Sequence, residues 1–428
     1  MKNLFCVLIA CCLLLVACQR EPVVPAIGFA PDELLCLTVE RSDDSLLATI
    51  AAARARPRSA AAWIDVGRAR LERAFARADG GELPQVAACA RAARQRDVFS
   101  VASLELEASV ALGGHRFAEA LELTEHALAQ DPVDANLWGI RSDALLELGR
   151  YAEAAQAARE QMRLWPGAAA QARAAYFQWL AGNVEAAKRD LVVALRGRDA
   201  RTPAFNAWLW SEIARIYLHE GAYADAATMY ARSLAELPGF PPALIGAARV
   251  ALAQRRVSEG EAFAREALTT APSVEAAIVL GDALAAKGET AAAETSWRQA
   301  EDLGRRGDAL GLARFLAERG RDPARALRLL QRQALGRDSL ELREALAWAH
   351  YRNGDCRSAA SALAPLRELG VRDARLRLHA AIIEAECGDV ARAAALYAHG
   401  ERLDVQIDVH AARTIAARFP SSPEMVAR

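Results

Sequence analysis

The strongest constraint on this chain is a period. Residues 207–240, "AWLWSEIARIYLHEGAYADAATMYARSLAELPGF", read as two apolar-periodic helices parted by His219-Glu220-Gly221-Ala222. Trp210, Ile213, Ala214 and Tyr217 recur at spacings of three and four on the first. Tyr223, Ala226, Tyr230, Ser233 and Leu234 do so on the second. Such spacings put each set on one helical face. Small Ala226 lets the helices approach, and Tyr230 fills the space beside it. Gly221 supplies the turn, and Pro238 stops the second helix. The pattern recurs about every 34 residues, in Phe117, Ala120, Ala127 and Pro132, and in Trp138, Leu145, Gly149, Tyr151, Ala154 and Pro166. It continues at Pro272 and then in Leu280, Gly281, Leu284, Gly288, Ala293, Trp297 and Ala300. A lone helical pair cannot bury its apolar face, so units at one period must stack.

Weaker units fit the same frame near 168–201 and 308–339, from 340 and from 374 on. A first unit starts at Ala60, with Trp63 and Gly67, and its turn is expanded by "ARADGGELPQ", about seven residues beyond the period. Hydrophobic residues make up 53% of the chain and aromatics 6%, a balance suited to close helix packing. The sequence resembles the tetratricopeptide repeat, a 34-residue helix-turn-helix. That resemblance implies an all-α fold, a right-handed α-solenoid of about ten repeats. The solenoid is expected over 60–407, with its best repeats at 101–134, 135–168, 207–240, 241–273 and 274–307. A capping segment over 32–59 includes a half-repeat helix at Ser45 to Ala55, and a capping helix and tail cover 408–428. "ELLCLTVER", residues 33–41, reads equally as strand or helix.

The chain opens with Lys2 and an apolar run that stops at Cys18. The run is shorter than the ~20 residues a membrane-spanning helix needs and leads into "QREPVVP", so it reads as a signal peptide over 1–17. Leu15-Val16-Ala17-Cys18 resembles a bacterial lipobox. This implies cleavage before Cys18, acylation of its sulfur and a tether over 18–31. Leu8-Ile9-Ala10-Cys11 also matches, but cleavage there leaves too little apolar sequence ahead of the cut. Gln19 stands where lipoproteins kept at the inner membrane often carry Asp, which favours the outer membrane, facing the periplasm. The lipid bilayer is thus one expected partner.

No motif for chemistry stands out. The seven histidines are scattered, and HExxH, GxSxG, the Walker phosphate loop and a strand-linked GxGxxG are missing from the sequence. The reading is of a chain without enzymatic activity and without a cofactor or metal. With 53 basic and 54 acidic residues, it carries no basic footprint for nucleic acid. The expected partners are other proteins or peptides, bound by a scaffold or assembly factor. The alternative is a receptor for a small molecule or glycan. In tetratricopeptide proteins, positions 2, 5, 9, 12 and 13 of each first helix line a concave groove. Here the resemblance assigns Trp208, Ser211, Arg215, Leu218 and His219, with Asp143, Tyr176, Trp179, Arg249 and Asp282 from neighbouring units. The Lys and Asn of a carboxylate clamp are missing from these slots. Trp210 takes the core-facing slot, so Trp208 is expected exposed beside Arg215 and Tyr176, as a binding hot spot, unless it packs on a preceding unit. Cys356 starts one second helix and Cys387 ends the next first helix, on one edge of the stack. A disulfide between them is expected, and Cys36 with Cys89 is a further candidate pair.

Overall fold

Alanine at the fourth residue of the second helix sets the architecture. Ala120, Ala154, Ala187, Ala226, Ala293 and Ala359 are all fully buried, so the two helices of each pair meet nearly backbone to backbone. The computed structural model describes residues 29–39, 44–78, 80–197 and 202–398. The signal peptide, Cys18 and the C-terminal capping helix expected near 410–419 lie outside the described residues. Among the described residues there are α-helices and two short 3-10 turns, and no strands.

Among the described residues ten antiparallel pairs follow one another. Pairs 1 to 5 are Ala60–Arg77 with Leu83–Arg94, Val101–Gly113 with Phe117–Gln130, Ala135–Glu147 with Tyr151–Leu164, Ala168–Leu180 with Val184–Arg196, and Pro203–His219 with Tyr223–Glu236. Pairs 6 to 10 are Pro241–Ala253 with Val257–Thr270, Val274–Ala286 with Thr290–Arg306, Ala309–Glu318 with Pro323–Gln333, Leu340–Arg352 with Cys356–Leu363, and Ala374–Cys387 with Val390–Ala398. The fold is an all-α solenoid. Ser59, Ser100, Asp134, Thr202 and Ser273 cap first helices by accepting backbone N–H bonds. The long turn of pair 1 is absorbed by an 18-residue first helix and a 3-10 turn at Gly80–Glu82. The ambiguous segment is helical as far as Leu37, within the helix Pro31–Leu37. It lies on pair 1, where Cys36 is bonded to Cys89 with Cα atoms 4.9 Å apart. Cys356 and Cys387 are likewise bonded, 5.2 Å apart.

The stack curls until it touches itself. The turn after pair 8 meets pair 3: the Asp338 N–H donates to the Glu147 carbonyl at 2.8 Å, and Arg337 Nε lies 2.6 Å from the Glu147 carboxylate. The turn after pair 9 meets pair 4, where Gly182 lies against the Gly370 backbone. The start of pair 10 meets pair 5, where the Ala374 N–H donates to His219 Nδ1 at 3.0 Å. One apolar cluster accordingly joins Leu180, Leu209 and Ile213 to Leu340, Leu376 and Ile382. Pair 1 also reaches pair 5, where the ring of Phe75 lies 6.2 Å from that of Trp208.

Candidate functional site: the interior of the closed solenoid

The first helices of pairs 4 to 10 face inward, and where the later pairs close on the earlier ones two cavities remain. The smaller, about 390 Å³, is lined by Tyr176, Ser211, Arg215, Leu218, His219 and Arg249 together with Glu275, Glu344, Asp373 and Arg375 from later pairs. The larger, about 640 Å³, shares Arg249, Glu275 and Arg375 and adds Asp282, Trp297, Phe315 and Arg319.

Charge in this interior is paired. Arg249 lies 2.5 Å from Glu275, Arg375 2.9 Å from Glu318, and Arg314 3.2 Å from Glu344. The Glu344 carboxylate also meets His379 Nδ1 at 2.5 Å. The guanidinium of Arg249 holds the Glu275 carboxyl below its ordinary range against the pull of burial. Burial pushes the His219 imidazole down to about 4, against the attraction of Asp373 and with Arg215, Arg375 and Arg249 adding to the fall. His219 is therefore neutral at pH 7, which suits a ring whose Nδ1 accepts the Ala374 N–H. Toward solvent, Asp282 is ion-paired with Arg319, and these side chains are 31% and 35% exposed. The Trp297 Nε1–H donates to Asp282 at 3.2 Å. Burial raises the Asp282 carboxyl even so. Among the described residues no group of three His, Cys, Asp or Glu is placed to hold a metal ion.

Models of the tetratricopeptide repeat match residues 105–169, 344–402 and 217–273. These three stretches carry tetratricopeptide repeats. No curated protein sequence matches it. Among solved structures, PilW, described as a widely conserved type IV pilus biogenesis factor, is 19% identical over 48% of this chain and 93% of that one, with a TM-score of 0.41. A tetratricopeptide repeat protein from Parabacteroides merdae ATCC 43184 is 16% identical over 56% and 93%, with a TM-score of 0.39. The Cut9-Hcn1 hetero-tetramer of APC/C is 15% identical over 67% of this chain and 55% of that one, with a TM-score of 0.48.

The tetratricopeptide groove expected from the sequence is partly there and partly shut. Tyr176, Ser211, Arg215, Leu218, His219 and Arg249 come together around the smaller cavity, but Ser211, Leu218 and His219 are buried. The Ser211 hydroxyl is spent on Ser233, 2.9 Å away. Trp179 is buried beneath the Arg215 guanidinium, 4.9 Å from the ring centre. Asp143 binds Arg173 through both oxygens, at 2.8 and 2.6 Å. Trp208 is not the exposed residue expected. It is half-buried, stacked on Phe205 at 5.5 Å and edge-on to Phe75. Asp282 keeps its expected place on the groove and sits on the larger cavity.

Glu275 and Arg375 went unassigned, although each holds the second position of its first helix. Taking the second position of pairs 7 and 10 as well would have named both. Glu344 holds the fifth position of its first helix and falls under the same rule, whereas Arg314, sixth in Ala309–Glu318, has no such signal.

Proposed function

We propose that this protein is a protein-binding scaffold or assembly factor of the bacterial envelope, held by acylated Cys18 at the outer membrane and facing the periplasm. The observation that carries the binding site is the mouth of the larger cavity. There the Asp282–Arg319 pair and Trp297, together with Arg249 and Glu275, offer matched charges beside an aromatic ring. That is a composition suited to gripping a polar polypeptide segment. The "LVAC" motif ending the apolar N-terminal run supports the anchor.

The test is affinity capture from solubilised envelope with the protein, comparing Asp282→Ala and Arg319→Ala with Trp208→Ala. Loss of one reproducible partner with the first two variants is expected. Trp208→Ala should act through packing against Phe75 and leave capture intact in any molecule that stays folded. Unchanged capture with Asp282→Ala and Arg319→Ala would remove the proposed site.

A second reading, a receptor for a small polar molecule or glycan, is favoured by one observation. Polar side chains of several pairs converge on cavities of about 390 and 640 Å³, within the ~300–1,000 Å³ range of ligand pockets. A metabolite retained in native mass spectra, with no protein partner, would favour it.

A further inference from the structure

The two edges of the solenoid differ. The turns within pairs 3, 4 and 5, at Gly149, Gly182 and His219, are covered by the later pairs. The opposite edge of the early pairs, formed by the turns between them, faces away from that closure and makes a second rim. On successive turns this rim carries Val98 and Phe99, then Val133, then Trp165, all exposed, with Phe99 82% and Trp165 62% accessible. Exposed apolar side chains scattered singly need no explanation, but a row along one edge does.

The carboxylates of these turns are bonded to their own backbone. Asp97 and Asp131 accept the Phe99 and Val133 N–H groups at 3.1 and 3.2 Å, and Asp134 caps its helix. On the turn that precedes pair 1, Arg56 and Arg58 are exposed, as is Arg54 just before it.

Phe29, the first described residue, lies at this same rim. The Phe29 ring lies 6.2 Å from Trp63, whose Nε1–H donates to the Pro57 carbonyl at 3.0 Å. Glu33 is paired with Arg96, two residues before Val98. Phe29 is eleven residues beyond Cys18, a stretch that reaches ~40 Å at most when extended.

We propose that this rim rests on a lipid bilayer. Phe99, Val133 and Trp165 enter the headgroup region and Arg54, Arg56 and Arg58 lie over anionic lipid. Tryptophan and arginine are side chains suited to that boundary. The apolar tips are few, so the contact is weak alone and orients a protein that a lipid chain already holds. The choice of a membrane over a protein as the occupant rests on the anchoring read from Cys18, while the rim's affinity for lipid does not depend on it.

The test separates the two. A chain that begins at residue 18, carries Cys18→Ser and so keeps every described residue is mixed with phosphatidylethanolamine vesicles containing phosphatidylglycerol. Cosedimentation is compared with that of the same chain carrying Phe99→Ser and Trp165→Ser, and with Leu335→Ser, an equally exposed apolar residue elsewhere. Circular dichroism confirms that each is folded. Measurable vesicle binding, lowered about tenfold or more by the rim variant and unmoved by Leu335→Ser, is expected. Absence of vesicle binding by the parent chain, equal binding by the rim variant, or capture of a protein by the rim in place of lipid overturns the proposal. Mass spectrometry of Cys18 in the native protein tests the anchor by itself.

Discussion

Gly149 and Gly288 take the same place in their repeats, the turn inside pairs 3 and 7, with φ of 72° and 84°. An alanine at either must hold a left-handed backbone, which costs about 1–2 kcal/mol. The surroundings differ. A Cβ on Gly288 meets nothing within 4 Å, whereas one on Gly149 falls 2.7 Å from the Asp338 carbonyl oxygen and 3.2 Å from its Cβ. Ordinary contact begins near 3.4 Å, so the turn after pair 8 must move by roughly 0.7 Å, a displacement of the kind that overpacking makes costly, about 1–3 kcal/mol. Gly149→Ala should therefore lose about 1–3 kcal/mol more than Gly288→Ala. The assay is urea denaturation of both variants beside the parent, read at the midpoint. The excess loss for Gly149→Ala should vanish when Arg337→Ala, which removes the pairing with Glu147, has already loosened the same contact. Equal destabilisation by the two alanines would refute the closure of pair 8 onto pair 3.

Four further expectations follow from individual residues. His219 has its pKa lowered from 6.5 to about 4, so the unfolded chain binds the extra proton. Stability is full above about pH 6.5 and falls by up to ~3 kcal/mol as the pH drops toward 4. His219→Gln should flatten that part of the profile, and an unchanged slope would contradict it. Arg255 holds φ 61° where most pairs have glycine, so Arg255→Gly should stabilise by up to about 1 kcal/mol in thermal melts, and a loss would count against the strain. The Cys36–Cys89 bond closes a separation of 53 residues. Cys36→Ser together with Cys89→Ser should thus cost about 4 kcal/mol, with faster proteolysis around residues 29–39 as the local sign. A thiol count of the oxidised, denatured protein should find Cys356 and Cys387 unreactive, and alkylation of both would exclude their pairing.

The repeat frame was legible because it is local. Spacings of three and four, the turn at Gly221 and the prolines that end several units act within some 34 residues. Tyr230, read as a filler beside a small alanine, is buried, as is Ala226. Closure was not legible. The bond between Ala374 and His219 spans 155 residues, and its partners meet only after small rotations between units add up over several repeats. For that reason Trp208, outward on its own helix, finds Phe75 from four pairs earlier, and the binding groove read from single helices is partly filled by the chain itself. The apolar rim escaped notice for the opposite reason. Phe99, Val133 and Trp165 sit in turns, where periodicity arguments for helices do not look.

The most direct test of the closed solenoid is amide hydrogen exchange at Asp338 and Ala374. Asp338 lies in the turn before its helix and Ala374 is the first residue of its own, where an N–H has no partner within the helix, so an open solenoid would leave both to solvent. Here they donate to Glu147 and His219 across the closure. The account predicts exchange slowed about 1,000-fold or more relative to an unstructured chain, comparable with the neighbouring helices. Exchange at the rate of an exposed loop would contradict it.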